Sequence, residues 1–562
     1  MIGEISPGLI LIIGALFIPL FKGRARSAFM LLLPVAAFVH LLGLPHGEFG
    51  QAEFLSLELV TLRVDKLSLL FGYIFLIATF LGVIYALHVE DAVQHVAALI
   101  YAGSAVGAVF AGDLMTLFMY WEATTVASVF LIWASRTEKA YAAGLRYLVV
   151  QILSGLFLLA GTLLMQRQSG SISFGSMSLA STATWLIFIA FGIKCAFPLL
   201  HNWLQDSYPE ATVTGTVMLS AFTTKLAVYA LARGFAGTEL LIPIGAAMTA
   251  FPIFYAVIEN DLRRVLSYSL NNQLGFMVVG IGIGTELAIN GAAAHAFCHI
   301  LYKALLFMSM GAVLYRVGTV KGSELGGLYK SMPWTATFCV VGAASISAFP
   351  LFSGFVSKSL IMSAAMNEGY FWTWAVLLFA SAGVFHHSGI KIPYFGFFGH
   401  DSGKRCAEAL PNMLVAMAIT AALCVGLGVY PKPLYDILPY AVDYVPYTFE
   451  HVLTQLQLLV FSALAFAVLM RTGLYPPELR STNLDFDWFY RRAGYSIAVT
   501  LGRHMTGLWQ SFVQRVNIVS SRVLIGLRHH GIEGALARAW PTGNMAFWMT
   551  LMLAAYLVLS IF

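Results

Sequence analysis

The sequence predicts an all-α, polytopic membrane protein with about 14–16 transmembrane helices. Three observations predict it. Of 562 residues, 59% are hydrophobic and only 10% are charged, against roughly a quarter charged in soluble domains. Mean hydropathy is +0.80. Apolar runs of bilayer-crossing length recur from end to end. The formal charge of +5 fits positive cytoplasmic loops rather than nucleic-acid binding. The five cysteines (Cys195, Cys298, Cys339, Cys406, Cys424) form no CxxC pair and imply neither disulfides nor a metal site. No nucleotide, flavin or haem motif occurs, so no cofactor is expected and no redox or hydrolytic site is visible.

Spans are expected at 5–21, 27–45, 66–88, 95–111, 113–134, 143–166, 183–204, 212–232, 240–258, 265–284, 291–316, 333–365, 372–397, 411–430, 452–470 and 546–562. The first is followed by Lys22, Arg24 and Arg26, which makes it a retained helix and not a cleaved signal. The segment at 333–365 is too long for one simple span and contains Pro350 and Gly354, so it reads as a broken helix. The segment at 183–204 contains Pro198 and reads the same way.

Basic residues cluster in alternate loops: Lys22, Arg24 and Arg26; Arg136 and Lys139; Arg263 and Arg264; Arg316, Lys321 and Lys330; Lys404 and Arg405. The opposite loops carry Glu48, Glu53, Glu58, Glu286 and Glu368, with scattered Arg63, Arg167, Arg233 and Lys432. The positive-inside rule places the basic loops in the cytoplasm and both termini outside, as expected of a multi-pass protein of a bacterial inner membrane.

Several titratable residues lie where a membrane helix should carry none. Lys194 stands four residues before Pro198, and Lys225 lies deep in the next span. A cation at bilayer depth costs roughly 2.5–3.5 kcal/mol on insertion scales, so such residues usually face the protein interior and mark an ion path. A snorkelling lysine is the bland alternative. Glu122, mid-span in the fifth helix, is the natural partner for Lys194, and such a pair titrates as a unit. A purely structural buried ion pair is the competing reading. His295, His299 and Lys303 stand at i, i+4 and i+8 on one helix face and suit a proton relay. Zinc lacks a carboxylate or cysteine ligand at motif spacing, and satisfied core histidines are the stronger alternative. Lys358 follows Pro350 by eight residues. The seventh and twelfth helices have opposite parity, hence opposite direction, as two inverted five-helix repeats of helices 4–8 and 9–13 would give.

Other polar residues have humbler expectations. Asp206 and Glu210 read as a cytoplasmic loop cap. Arg146 is interfacial or reaches toward Glu122. His386, His387 and Lys391 either extend the polar axis or sit near its cytoplasmic end. The partition expected is 1–94 N-terminal helices, 95–235 first repeat, 236–400 second repeat, 401–471 C-terminal core helices and 472–562 tail. In the tail, Arg480, Arg491, Arg492, Arg503, Arg515, Arg522, Arg528 and Arg538 alternate loosely with apolar residues. That spacing predicts an amphipathic helix along the cytoplasmic interface, tied down by the last span. A soluble tail packed on its own loops is the alternative.

At this point the residues resemble the antiporter-like subunits shared by Mrp-type sodium/proton antiporters and respiratory complex I. The carriers are VDKLS at 64–68, YWE at 120–122, IKCAFPLLHNWLQD, SYPEA, TKLAVYALAR, HAFCHILYKALLF and PLFSGFVSKSL. Within that family SYPEA and TKLAVYALAR look most like the Mrp D subunit, and lysine at 358 fits both that subunit and the largest complex I antiporter-like subunit. Gln205 departs from the usual proline of that motif, and the long tail looks more like the largest complex I subunit. The resemblance implies inverted repeats with broken seventh and twelfth helices. It also implies that Glu122, Lys194, Lys225, His295, His299 and Lys358 line a proton path, which Lys303 would extend.

The expected function is therefore a membrane subunit of a multisubunit monovalent cation (Na+)/proton antiporter. The alternatives are a proton-pumping membrane subunit of an NADH–quinone oxidoreductase or related redox complex, and a scaffold without transport. Expected partners are other membrane subunits of the same complex, protons, Na+ or another monovalent cation and the lipid bilayer, with no nucleic acid.

Overall fold

The computed structural model describes residues 5–54, 57–479, 483–530 and 541–561. The chain divides into two units, Met1–Asn483 and Leu484–Phe562. It is a multi-pass membrane protein. Among the described residues, twelve helices are long and apolar enough to cross a bilayer. Three shorter apolar helices, Pro7–Leu20, Thr182–Lys194 and Pro333–Ile346, accompany them. Leu262–Ile283 is also a helix of spanning length, 22 residues, although Arg263, Arg264, Asn271, Asn272 and Gln273 lower its hydropathy.

Helix starts follow local capping chemistry. Asp65 and Ser68 form a reciprocal capping box ahead of Lys66–Ala86. Asp113 caps Leu114–Trp133 through Thr116 N–H, and Ser181 with Thr184 caps Thr182–Lys194. Each satisfies N–H groups that the first turn cannot pair internally. The antiparallel pair Leu241–Ile258 and Leu262–Ile283 packs so closely that a Cβ on Gly275 would meet the carbonyl of Gly245, the contact small residues permit.

The two proline-bearing segments are broken as expected, and the two breaks are the same piece of backbone. Thr182–Lys194 stops and Asn202–Ser207 resumes; Pro333–Ile346 stops and Ser353–Asn367 resumes. Each break contains AFPL, at 196–199 and at 348–351. Ala196 and Leu199 have φ of 62° and 71°, and Ala348 and Leu351 have 56° and 73°. Phe197 N–H donates to Gly192 O, and Phe349 N–H to Ala344 O, both at 3.0 Å. Left-handed backbone at a residue with a Cβ costs about 1–2 kcal/mol, so four such residues held by matched hydrogen bonds mark a maintained feature.

A third interruption has no proline. Val213–Ala221 and Thr223–Gly234 meet at Phe222, whose φ/ψ of −106°/−63° departs from the helix. The helix Phe371–Phe398 carries wide π turns at Phe385–Ile390 and Tyr394–Phe398.

The stretch between the second and third helices, expected as loop, is a hairpin. Gly47–Phe54 pairs antiparallel with Leu57–Val64, with Glu53 opposite Glu58. Leu57, Leu59, Leu62 and Val64 are buried, and Asp113 accepts from Val60 N–H at 2.9 Å.

In the second unit, Tyr495–His530 is one 36-residue helix and Thr542–Ile561 another. Arg480 and Arg538, included in the expected tail pattern, lie outside the described residues.

Candidate functional site

The lysines expected at bilayer depth are buried, and two of them, together with Lys391, end on carbonyls that the fold leaves unpaired. Lys194, Lys225, His295, His299 and Lys303 have no exposed surface, and Lys358 is 2% exposed. Lys225 Nζ donates to Ser220 O at 2.6 Å. Lys358 Nζ donates to Ile346 O, the last residue of its broken helix, at 2.7 Å. Lys391 Nζ donates to Val257 O and Glu259 O, both at 2.7 Å, at the end of Leu241–Ile258. The last carbonyls of a helix have no intrahelical donor and carry the negative end of its dipole. Breaking or ending a helix in the membrane thus creates the acceptor that a buried ammonium requires.

Lys194 is held differently. Its Nζ donates to Trp121 O and Thr124 Oγ1, both at 2.9 Å, and lies 4.3 Å from the Trp121 ring centroid. The expected contact between Lys194 and Glu122 does not close as an ion pair among the described residues. Glu122 Oε1 is buried without a hydrogen-bond partner and points to the next helix, where a Cβ on Gly155 would collide with it. The reason is helical geometry: Trp121 and Glu122 project about 100° apart, so the ammonium on one face meets the backbone while the carboxylate faces Gly155. The two charges remain within electrostatic range.

The Glu286–Val317 helix carries His295, His299 and Lys303. His295 Nδ1 lies 3.0 Å from Ser357 Oγ, one residue before Lys358. His295 Nε2 lies 3.4 Å from Tyr302 OH, which donates to Gln273 Oε1 at 3.2 Å. Both ring nitrogens of His299 and the Nζ of Lys303 are buried without hydrogen-bond partners. His299 and Lys303 lie within electrostatic range of Lys225 and Lys358, and His387 within range of Lys303 and Lys391. Cys195, next in sequence to Lys194, is within range of Lys225.

Two humbler expectations are corrected. Asp206 does not cap a loop. It lies in the helix Asn202–Ser207 and takes both Nε and Nη2 of Arg146, at 2.7 and 3.1 Å. Arg146 therefore reaches Asp206 and not Glu122. Glu210 sits 3.9 Å from Arg264. Arg263, expected as a loop cation, is 3% exposed. It donates to the carbonyls of Pro209 and Ala211 at 3.0 and 2.9 Å and contacts Thr216 Oγ1, pinning the SYPEA turn.

Sequence reasoning missed Glu478, which pairs with Lys391 at 2.8 Å. Nothing in its local sequence, YPPELR, signals burial. It also missed Gln273, whose only signal was an amide run, Asn271–Asn272–Gln273, inside a spanning helix.

Residues 111–386 match the family described as NADH:quinone oxidoreductase/Mrp antiporter, transmembrane. The D subunit of the Na+/H+ antiporter of Alkalihalophilus pseudofirmus is 29% identical over 353 residues, covering 59% of this chain and 71% of that protein. A chain of the Mrp complex of Dietzia sp. shares the fold with a TM-score of 0.79 at 24% identity, over 92% of this chain; this chain spans 62% of its length. A chain of the membrane-bound sulfane sulfur reductase, an archaeal respiratory membrane complex, shares it with a TM-score of 0.70 at 22% identity, over 98% of this chain and 99% of that one.

Proposed function

We propose that this chain, which over residues 111–386 belongs to the NADH:quinone oxidoreductase/Mrp antiporter transmembrane family, is a membrane subunit of a multisubunit monovalent cation/proton antiporter. It works beside other membrane subunits in a bacterial inner membrane, exchanging protons for Na+ or a related cation. The observation that carries the reading is the burial of Lys194, Lys225, His295, His299, Lys303 and Lys358, with His299 and Lys303 within electrostatic range of each other and of Lys225 and Lys358. Each buried charge is costly alone, and a row of neighbouring titratable groups lets a proton pass by successive changes of protonation. Glu122 tunes Lys194 at one end through space, and Lys358 serves another. Two inverted repeats at 95–235 and 236–400 remain part of this reading, supported by the twin AFPL breaks.

The test uses the whole complex in everted membrane vesicles with a pH-sensitive dye. Adding NaCl or KCl to respiring vesicles should collapse part of the proton gradient, and Glu122→Ala should reduce that response about 100-fold. A cation response untouched by Glu122→Ala would remove the reading.

A second reading, a proton-pumping subunit of a redox complex, is favoured by one observation: the match to the respiratory-complex chain runs through both chains almost in full, tail included. Proton movement that requires an electron donor and ignores added cation would select it. In either case the amphipathic Tyr495–His530 helix is read as a brace for partner subunits. Deleting 484–562 should then lose co-purifying partners, and a truncated chain that keeps every partner would rule the brace out.

A further inference from the structure

The ion pair between Lys391 and Glu478 stands apart from the row that the resemblance implies, yet it joins that row to a cavity. Lys391 has no exposed side-chain surface and Glu478 only 5%. They come from distant segments: Lys391 follows the π turn Phe385–Ile390, and Glu478 follows Phe449–Thr472 after Pro476 and Pro477. A cavity of about 330 Å³ lies against Glu478, lined also by Gly322, Ser323, Phe395, His400 and Tyr475. The loops that supply these residues include Lys321, Lys330, Lys404 and Arg405, so the cavity belongs to the basic, cytoplasmic side. Apart from the ion pair, neither Glu478 oxygen has a hydrogen-bond donor. Behind Lys391, one helical turn back, His387 Nε2 is likewise buried without a partner, and Lys303 follows within electrostatic range. Glu478 is thus the only carboxylate among the described residues that both lines this cavity and touches a lysine joined electrostatically to the row.

We propose that Glu478 and Lys391 form a cytoplasmic proton port that loads the row through His387. The step balances with one proton. An excess proton from the cytoplasmic side, carried in by cavity water, neutralises the Glu478 carboxylate. Lys391, its ammonium still held by the Val257 and Glu259 carbonyls, gives one proton to His387 Nε2. Neutral Lys391 then takes the proton from Glu478, which restores the ion pair and leaves His387 charged, within electrostatic range of Lys303. Other titratable groups surround the port. The Glu259 carboxylate is held by Asn483 and the Asp261 amide. His386 stacks on Tyr475 at 5.4 Å, and His400 lines the cavity.

This inference rests on the antiporter reading, and its test separates the two. The complete complex is assayed in everted vesicles for NaCl-driven proton movement across a range of pH, with co-purified partners measured in parallel. Glu478→Gln should slow exchange about tenfold or more and remove the limb of the pH profile that the carboxylate titrates; Glu478→Asp should restore most of the rate. Because a lone buried charge disturbs folding, the double variant Lys391→Met/Glu478→Gln is the control. It should assemble like the parent and remain slow. A double variant that assembles and transports at the parental rate shows a structural pair and overturns the port. So does a Glu478→Gln variant with parental rate and pH profile while Glu122→Ala is inactive. Parental transport in both Glu478→Gln and Glu122→Ala would overturn the antiporter reading and the port together.

Discussion

Lys225 Nζ donates to the carbonyl oxygen of Ser220 at 2.6 Å, across the interruption at Phe222. The lysine and the break depend on each other: the interruption frees an acceptor, and the ammonium satisfies it. Lys358 repeats the arrangement with Ile346 at 2.7 Å. Lys225→Met should therefore abolish exchange and also destabilise the chain by about 1–3 kcal/mol, the cost of an orphaned buried carbonyl. Lys358→Met should behave alike. Thermal unfolding in detergent reads the stability, and vesicle assays read transport. Unchanged melting in both variants would show that the carbonyls find other donors.

Gly155 faces the Glu122 carboxylate with no room for a Cβ. Gly155→Ala should push the carboxylate away from its place near Lys194 and slow exchange, while partners still co-purify. Glu122→Asp should be intermediate, since the charge survives with a shorter reach. A Gly155→Ala variant of parental rate would mean that the position of Glu122 is unimportant.

His295 is anchored by Ser357 and Tyr302, whereas His299 has two ring nitrogens without partners, one turn from Lys303. His299→Ala should interrupt exchange more than His295→Ala, and His295→Ala should lower the melting temperature more because it removes a partner of Ser357. The reverse order in both assays would assign the relay to His295.

Asp65 binds Arg233 at 2.8 Å and accepts the Ser68 amide at 2.9 Å. Burial pushes its carboxyl up, but Arg233, the Ser68 amide and Arg63 pull it further down, so it titrates below the ordinary value of 3.8. A depressed carboxyl stabilises the fold above its unfolded pKa, and that contribution is lost as pH falls through the folded pKa. Asp65→Asn should melt earlier than the parent at pH 7, and the gap should narrow below about pH 4. A gap that stays constant down to pH 3 would show that Asp65 adds no pH-dependent stability.

The sequence by itself determined the membrane class, the helical segments and the burial of Lys194, Lys225 and Lys358. The reason is that bilayer burial acts on composition: a run of about 20 apolar residues and a rare charge within it are read directly from the order of residues. It also determined the two breaks, because Pro198 and Pro350 withdraw a backbone donor wherever they stand. AFPL occurs twice in the sequence, but its matching left-handed geometry emerged only in the fold. Tertiary structure alone decided the partners. Glu122 and Lys194 lie within electrostatic range, yet the helix face turns the carboxylate to Gly155 and gives the ammonium to Trp121 and Thr124. The break at Phe222 has no local signal, and its acceptor is filled by a lysine five residues after Ser220. Glu478 is 87 residues from Lys391, and no periodicity spans that distance. Hydropathy fixes depth one residue at a time, whereas hydrogen-bond partners depend on rotation about helix axes and on which helices meet.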